Sequence, residues 1–374
     1  MVRVYRVTGL LAAVAVLIAS AVSAHENDLM FGYDAAQAAV MSPAAYECPR
    51  IMLPTGPPLN LWIRDIGVDF ARQPGGGAYL LESVTWQQVS CTAGLTIGGA
   101  FGDGRPGFVT LTSTAPHVHF QAAARNPGTY ILRSYLKNAV AKSGAQVAPS
   151  AEFYTIFVAG SDYALVDLPL LRNLPDTPAG SPANGFAGVE VRNLVVSTGQ
   201  AFAGGFYAQT LGRSAGVFIQ SNTPVAEGDV VRVRGKLATV GGERVIVADS
   251  VETEPGAPPR PLGMTVRSLA AASAGRYTPG ADGGVGVSSV GLLVRVAGTL
   301  REHDGVLYLD DGSASLGGQP AGVRLSLERL ATPFSLPEPG SVVIVTGVSG
   351  HVVDGDGKIR PVLRPRGPGD ITVL

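Results

Sequence analysis

An all-β chain, with a β-sandwich ahead of two small five-stranded β-barrels, is what three features of this sequence predict. The first is a duplication near the end of the chain. Val191-Arg192 is matched by Val294-Arg295, Phe206-Tyr207 by Leu307-Tyr308, and Ala215-Gly216-Val217 by Ala321-Gly322-Val323. Gly228-Asp229-Val230-Val231 is likewise matched by Gly340-Ser341-Val342-Val343, and Gly235 answers to Gly347. A repeated unit of this size, made of short strands and glycine turns, is a small barrel written twice. The second feature is composition: 15% charged residues against 49 glycines and 27 prolines favours many turns between short strands over solvent-exposed helices. The third is capacity, since 374 residues at 46% apolar content suffice for two or three cores.

Residues 1–24 read as an export signal. Arg3 and Arg6 give a positive start, Leu10 to Ala19 a short apolar core, and Val22-Ser23-Ala24 the small residues of a cleavage site before His25. The apolar run is shorter than the roughly 20 residues of a spanning helix, so no integral membrane span is expected after signal removal. The predicted location is extracytoplasmic, in the cell envelope or outside the cell. Residues 25–45 form an N-terminal segment, with a helical or loosely ordered stretch from Asp28 to Met41. Cys48 and Cys91, the two cysteines, are predicted to form a disulfide in that oxidising compartment, where closing such a loop stabilises by about 4 kcal/mol. No histidine lies near either cysteine in sequence, which argues against a zinc site there.

The sandwich is assigned to residues 46–160. His117 and His119 alternate with Val118 and Phe120, giving a strand with one polar and one apolar face. Asn126-Pro127-Gly128-Thr129-Tyr130 is a turn, and the alternating residues 131–136 form a second strand expected to pair back on the first. This segment resembles bacterial immunoglobulin-like domains, in which a glycine turn leads to a tyrosine whose hydroxyl caps the corner between strands; Tyr130 occupies that place. Leu132 stands where antibody domains carry their second bridging cysteine, and Trp62, 14 residues after Cys48, is the candidate core tryptophan.

Residues 161–185, rich in proline, leucine and polar turn residues, read as a linker lying along a domain surface, and residues 255–289, rich in proline and glycine, as a second linker with a short helix within 265–274. They bound barrel 1 (186–254) and barrel 2 (290–374). Barrel 1 should have strands over 189–198, 204–209, 216–220, 229–238 and 244–251. The long opening strand, the aromatic-led strand ending in Gln209 or Asp310, the Gly-Val strand and the Val-Arg-Gly exit resemble tandem OB-fold modules of exported bacterial proteins. That resemblance implies fold and compartment rather than an activity.

Chemistry is sparse. His117 and His119 share one strand face and are the candidate metal ligands, with Asp103 and Glu152 as possible third ligands. Asp310-Asp311-Gly312 and Asp354-Gly355-Asp356-Gly357 have calcium-type oxygens but read better as turns. No nucleophile elbow, phosphate loop or paired-carboxylate constellation is present, so no enzyme and no cofactor is predicted. Binding remains. Arg232, Arg234 and Lys236 alternate along one strand face, and Phe206, Tyr207 and Phe218 could act as stacking platforms, as in OB folds that hold single-stranded nucleic acid or polysaccharide. A second arginine group, Arg360, Arg364 and Arg366, sits at the end of barrel 2. Against nucleic acid stand a formal net charge of −1 and local balances of six cations to seven anions over 186–254 and eight to nine over 290–374. The leading expectation is therefore an exported, non-enzymatic binding or scaffold protein with a protein or cell-surface polymer as partner, and nucleic acid as the alternative.

Overall fold

A computed structural model describes residues 29–34, 39–41, 50–53, 55–56, 61–70, 80–98, 101–102, 107–177, 188–269, 271–275, 277–313 and 321–374. Their regular secondary structure is nearly all strand, as predicted. The proposed signal residues, Cys48 and Asp103 lie outside the described residues. Described residues up to Asp162 form one compact unit and those from Tyr163 onward another.

The first unit contains β1 (Leu29–Asp34), β2 (Ala39–Met41), β3 (Arg50–Leu53), β4 (Thr55–Gly56), β5 (Leu61–Phe70), β6 (Leu81–Cys91) and β7 (Leu95–Ile97). It continues with β8 (Phe101–Gly102), β9 (Phe108–Thr112), β10 (His117–Ala124), β11 (Gly128–Ala141), β12 (Gln146–Val147) and β13 (Phe153–Ala159). One sheet runs β2-β1-β5-β10-β7-β8 with β4 on β5; the other runs β3-β13-β11-β6-β9 with β12 on β11. Their inner faces share one core, in which Leu29, Phe31, Ile66 and Phe120 of the first sheet meet Trp86, Leu132 and Phe157 of the second.

Three expectations change here. The stretch 28–41 holds strands β1 and β2 rather than a helix, because Leu29 and Phe31 alternate into the core. The core tryptophan is Trp86, fully buried, with Phe101 at 4.4 Å and Phe31 and Phe120 edge-on at 5.6 and 6.1 Å; Trp62 is half-buried at the margin. Strands β10 and β11 do not pair with each other: β10 lies between β5 and β7, and β11 between β13 and β6 in the opposite sheet. The turn between them crosses from sheet to sheet, and Tyr130 fastens that crossing by donating its hydroxyl to the carbonyl of Asn126 at 2.7 Å.

The second unit contains β14 (Tyr163–Leu165), α1 (Leu168–Leu171), β15 (Gly188–Val196), β16 (Gly205–Thr210), β17 (Gly216–Gln220), β18 (Val230–Val240) and β19 (Glu243–Glu254). It continues with β20 (Leu262–Gly263), α2 (Val266–Leu269), β21 (Leu293–His303), β22 (Val306–Asp310), β23 (Val323–Leu325), β24 (Val342–Val353), β25 (Ile359–Arg364) and β26 (Ile371–Val373). Strands β15-β16-β17-β19-β18 close into a five-stranded ring as β18 pairs back on β15, and β21-β22-β23-β25-β24 do the same through β24 and β21. In each ring the third and fifth strands pair in parallel and every other pair is antiparallel.

The proline-rich stretches are not free linkers where described. β14 adds to β15 in parallel and Asp167 caps α1 by accepting from the Leu170 N–H at 2.9 Å. β20 adds to β21, and the first N–H groups of α2 donate to Asp311 and Ser313 at 2.9 and 3.0 Å. Prolines and glycines mark the turns, but Leu168, Leu171, Leu174, Val266 and Leu269 between them are apolar and become buried. Asp310-Asp311-Gly312 is thus a turn, Asp310 accepting from the Gly312 N–H at 2.9 Å.

Candidate functional site

The cationic row of barrel 1 does not stand free. Its strand β18 lies beside β15, where Glu190 faces Arg234 across the ladder. Between Val191 and Leu194 the register slips, with Asn193 at φ 59°, a bulge that brings Arg192 to the same carboxylate. Glu190, 3% exposed, therefore accepts from three guanidiniums: Arg232 at 2.9 and 3.1 Å, Arg234 at 2.8 Å, and Arg192. Arg232 also reaches Glu252 at 3.1 Å, its partner across β19, and Arg234 lies 5.7 Å from the centre of the Tyr163 ring. Burial alone would raise the Glu190 carboxyl, but the hydrogen bonds from Arg232, Arg234 and Arg192 outweigh it and hold the group at about 2. Lys236, at the end of the row, is exposed. The cleft at the opposite end of the row, beside Arg232, is lined by Arg192, Asn193, Glu252 and Glu254 as well, so it carries both cations and anions.

The expected platforms are not on a surface. Phe206 and Tyr207 are each 1% exposed, and Phe218 is buried. The side chains of residues 206 and 207 are both internal because Phe206 lies inside the unit, while Tyr207 is covered by the second barrel. That cover is the main electrostatic feature of the unit. Glu243, at the start of β19 and 1% exposed, accepts from the Tyr207 hydroxyl at 2.9 Å, the Arg364 guanidinium at 2.7 Å and the His351 backbone N–H at 2.6 Å, with Arg329 at 3.4 Å. Arg364 also donates to the His351 carbonyl at 2.8 Å, and Arg329 donates to the Tyr207 hydroxyl at 3.1 Å. Tyr207 and Glu243 belong to barrel 1; Arg329, His351 and Arg364 belong to barrel 2. Burial is the largest influence on the Glu243 carboxyl and would raise it, yet the charges of Arg364 and Arg329 and the His351 N–H leave it below its ordinary value. Burial, with the adjoining Glu243 charge, pushes the Tyr207 hydroxyl up.

An apolar ring surrounds this knot: Phe202, Tyr207, Phe218 and Val245 of barrel 1 pack with Leu330 and Val348 of barrel 2. Backbone bonds join Ala203 N–H to Arg329 O at 2.7 Å and Ala331 N–H to Ala201 O at 2.9 Å. Gly216 and Gly291 meet so closely that a Cβ on Gly216 would lie 2.2 Å from the Gly291 carbonyl. At Gly350 a Cβ would fall 1.7 Å from the Arg364 guanidinium and 2.3 Å from the Glu243 carboxylate, so the knot requires glycine there. The arginine group of barrel 2 is consumed in the same way. Arg360 pairs with Asp354 at 3.0 Å, Arg364 with Glu243, and Arg366 with Asp370 at 2.7 Å and Glu227 at 2.5 Å.

On the sandwich, His117 and His119 do share a face, and the structure brings their Nε2 atoms to 2.7 Å. The side chains beside them are Asp65 and Asp69 of the neighbouring strand β5: Asp65 lies 2.8 Å from His119 Nδ1, and Asp69 lies 3.8 Å from His117 Nδ1. Glu152, an expected third ligand, is instead paired with Arg133 on the other sheet. The spacing Asp65-x-Gly67-x-Asp69 carried a signal that sequence reading missed, since period-two alternation places both carboxylates on one strand face. Among the described residues no group of three or more His, Cys, Asp or Glu converges as a metal shell. No protein-family model and no curated protein matches the chain.

Two outcomes follow. Glu243→Gln leaves buried guanidiniums without their counter-charge and is expected to destabilise the two-barrel unit by about 3–5 kcal/mol, read as a lower urea midpoint, whereas exposed Lys236→Gln shifts it by about 0.5 kcal/mol or less. Glu190 has a depressed folded-state value, so its contribution is full above the ordinary 4.5 and is lost as pH falls towards about 2. Acid unfolding followed by circular dichroism should therefore steepen in that window for the native chain, and Glu190→Gln should flatten it while lowering stability at neutral pH.

Proposed function

We propose that this chain is an exported, non-enzymatic binding and scaffold protein of the cell surface or extracellular space, whose second unit is a pair of OB-fold modules fused into one body. The observation that carries the reading is the buried Glu243 knot, which spends Tyr207 of barrel 1 and Arg329 and Arg364 of barrel 2 on joining them. The ring order, with one parallel pair between third and fifth strands, supports the OB assignment of each barrel. The sheet-to-sheet crossing fastened by Tyr130 supports an immunoglobulin-like sandwich ahead of them. Export rests on residues 1–24, and it places Cys48 and Cys91 where a bridge between them is stable.

A strand-binding OB groove needs unpaired cations next to exposed aromatic rings. In barrel 1 the cations Arg232 and Arg234 already hold Glu190, and Phe206, Tyr207 and Phe218 are core. The partner that fits is a protein or cell-surface polymer met through mixed charge, not a polyanion. Two measurements examine this. Retention of the secreted chain on immobilised single-stranded DNA is expected to be weak and unchanged by Arg232→Ala with Arg234→Ala; salt-sensitive retention abolished by those changes would establish the nucleic-acid reading instead. For the bridge, thiol titration in denaturant should find no reactive cysteine before reduction and both afterwards, and reactive thiols in the unreduced secreted protein would refute it.

A further inference from the structure

We propose that His117 and His119 are a two-nitrogen site for a divalent transition-metal ion, copper(II) before zinc(II), on the outer face of the sandwich. Three observations carry this. The Nε2 atoms of the two rings converge to 2.7 Å with the ring planes at 78°, so a single ion can reach both nitrogens. The two nitrogens now share the hydrogen of an N–H···N bond, and a metal cation seated to one side of the N···N line would displace that hydrogen and accept both lone pairs.

The second observation is the support behind the rings. The Asp65 carboxylate lies 2.8 Å from His119 Nδ1 and so favours the tautomer with its hydrogen on Nδ1, which leaves the Nε2 lone pair of His119 available. Asp69, itself held by the Phe70 N–H at 2.7 Å, stands 3.8 Å behind His117 Nδ1, so a carboxylate backs that ring as well. A carboxylate behind each ligating imidazole is the usual outer arrangement of histidine metal sites. The two carboxylates also balance the charge of a dication, and both rings remain partly exposed, so the ion has an entry path and water completes its shell.

The third observation selects the metal. An ion about 2.0–2.1 Å from two nitrogens that lie 2.7 Å apart subtends an angle of about 80–85°. That is close to the roughly 90° between neighbours in a tetragonal shell and far from the roughly 109° of tetrahedral zinc. Imidazole donors and the ordinary affinity order of divalent ions point the same way.

The test uses the full secreted chain, loaded with one equivalent of copper(II) sulfate and desalted. We expect retained copper with electron paramagnetic resonance splitting from two nitrogens, lost in the double variant His117→Ala, His119→Ala. Asp65→Asn, which keeps both ligands and only loosens one ring, should weaken copper binding about 10–100-fold in a chelator competition. Circular dichroism and thermal melting without metal should match the native chain in every variant, since all three side chains are at least partly exposed. Copper retained equally by the native chain and the double variant, or by neither, overturns the proposal. Tighter retention of zinc than of copper overturns the assignment of the metal.

Discussion

One buried carboxylate decides the shape of the second unit. Glu243 is shut away from water, and a bare carboxylate there would cost more than a small barrel can supply. It is tolerable only when barrel 2 brings Arg364, Arg329 and the His351 N–H to it. The converse holds for Arg364, 4% exposed, whose one carboxylate within ion-pair distance among the described residues is Glu243. Each barrel thus contains a charge that the other must neutralise, and neither is at rest alone. Apolar contact among Phe202, Phe218, Leu330 and Val348 supplies affinity between the barrels, while the charges fix their register, because a displaced barrel would leave an ion unpaired.

The same logic, at lower stakes, governs the Glu190 cluster. Three guanidiniums around one carboxylate would repel each other without it, and Glu252 takes up part of the remaining charge through Arg232. The row that alternates so visibly along β18 is therefore the outer half of an ion network whose inner half is supplied by β15. With its charges paired in this way, the electrostatic field of the row is short-ranged.

What could be read from the sequence was what is local along the chain. The barrel strands came out within a few residues, because alternation of valine with polar residues and glycine turns are properties of neighbours; Gly216–Gln220 is identical to its expectation. Tyr130 was readable because its acceptor is four residues away. What escaped depends on partners distant in sequence. Glu190 is 42 residues from Arg232, Glu243 is 121 from Arg364, and Asp65 reaches His119 only because β5 pairs with β10. Glu243 follows Gly241-Gly242 in a hairpin and so looks like an ordinary exposed turn residue. Phe206 and Tyr207 have the composition of a binding platform and the location of a core, and only burial separates the two.

The duplication then takes on a different meaning. The two rings repeat one strand order, but they meet through unlike parts. Barrel 1 contributes the side chain of β16 at Tyr207 and the start of β19 at Glu243; barrel 2 contributes the end of β24 at His351, the end of β25 at Arg364 and the loop around Arg329. A like-to-like contact would have made the pair two-fold symmetric and left both copies with equivalent faces. An unlike contact instead covers a different face on each copy, so the faces that remain are different as well. Tyr308, the counterpart of Tyr207, is 9% exposed and forms no hydrogen bond to a glutamate among the described residues. Repetition of the barrel therefore supplied a second stable fold, and divergence at the contact, Gly350 and Arg364 included, turned two copies into a single body with two distinct surfaces.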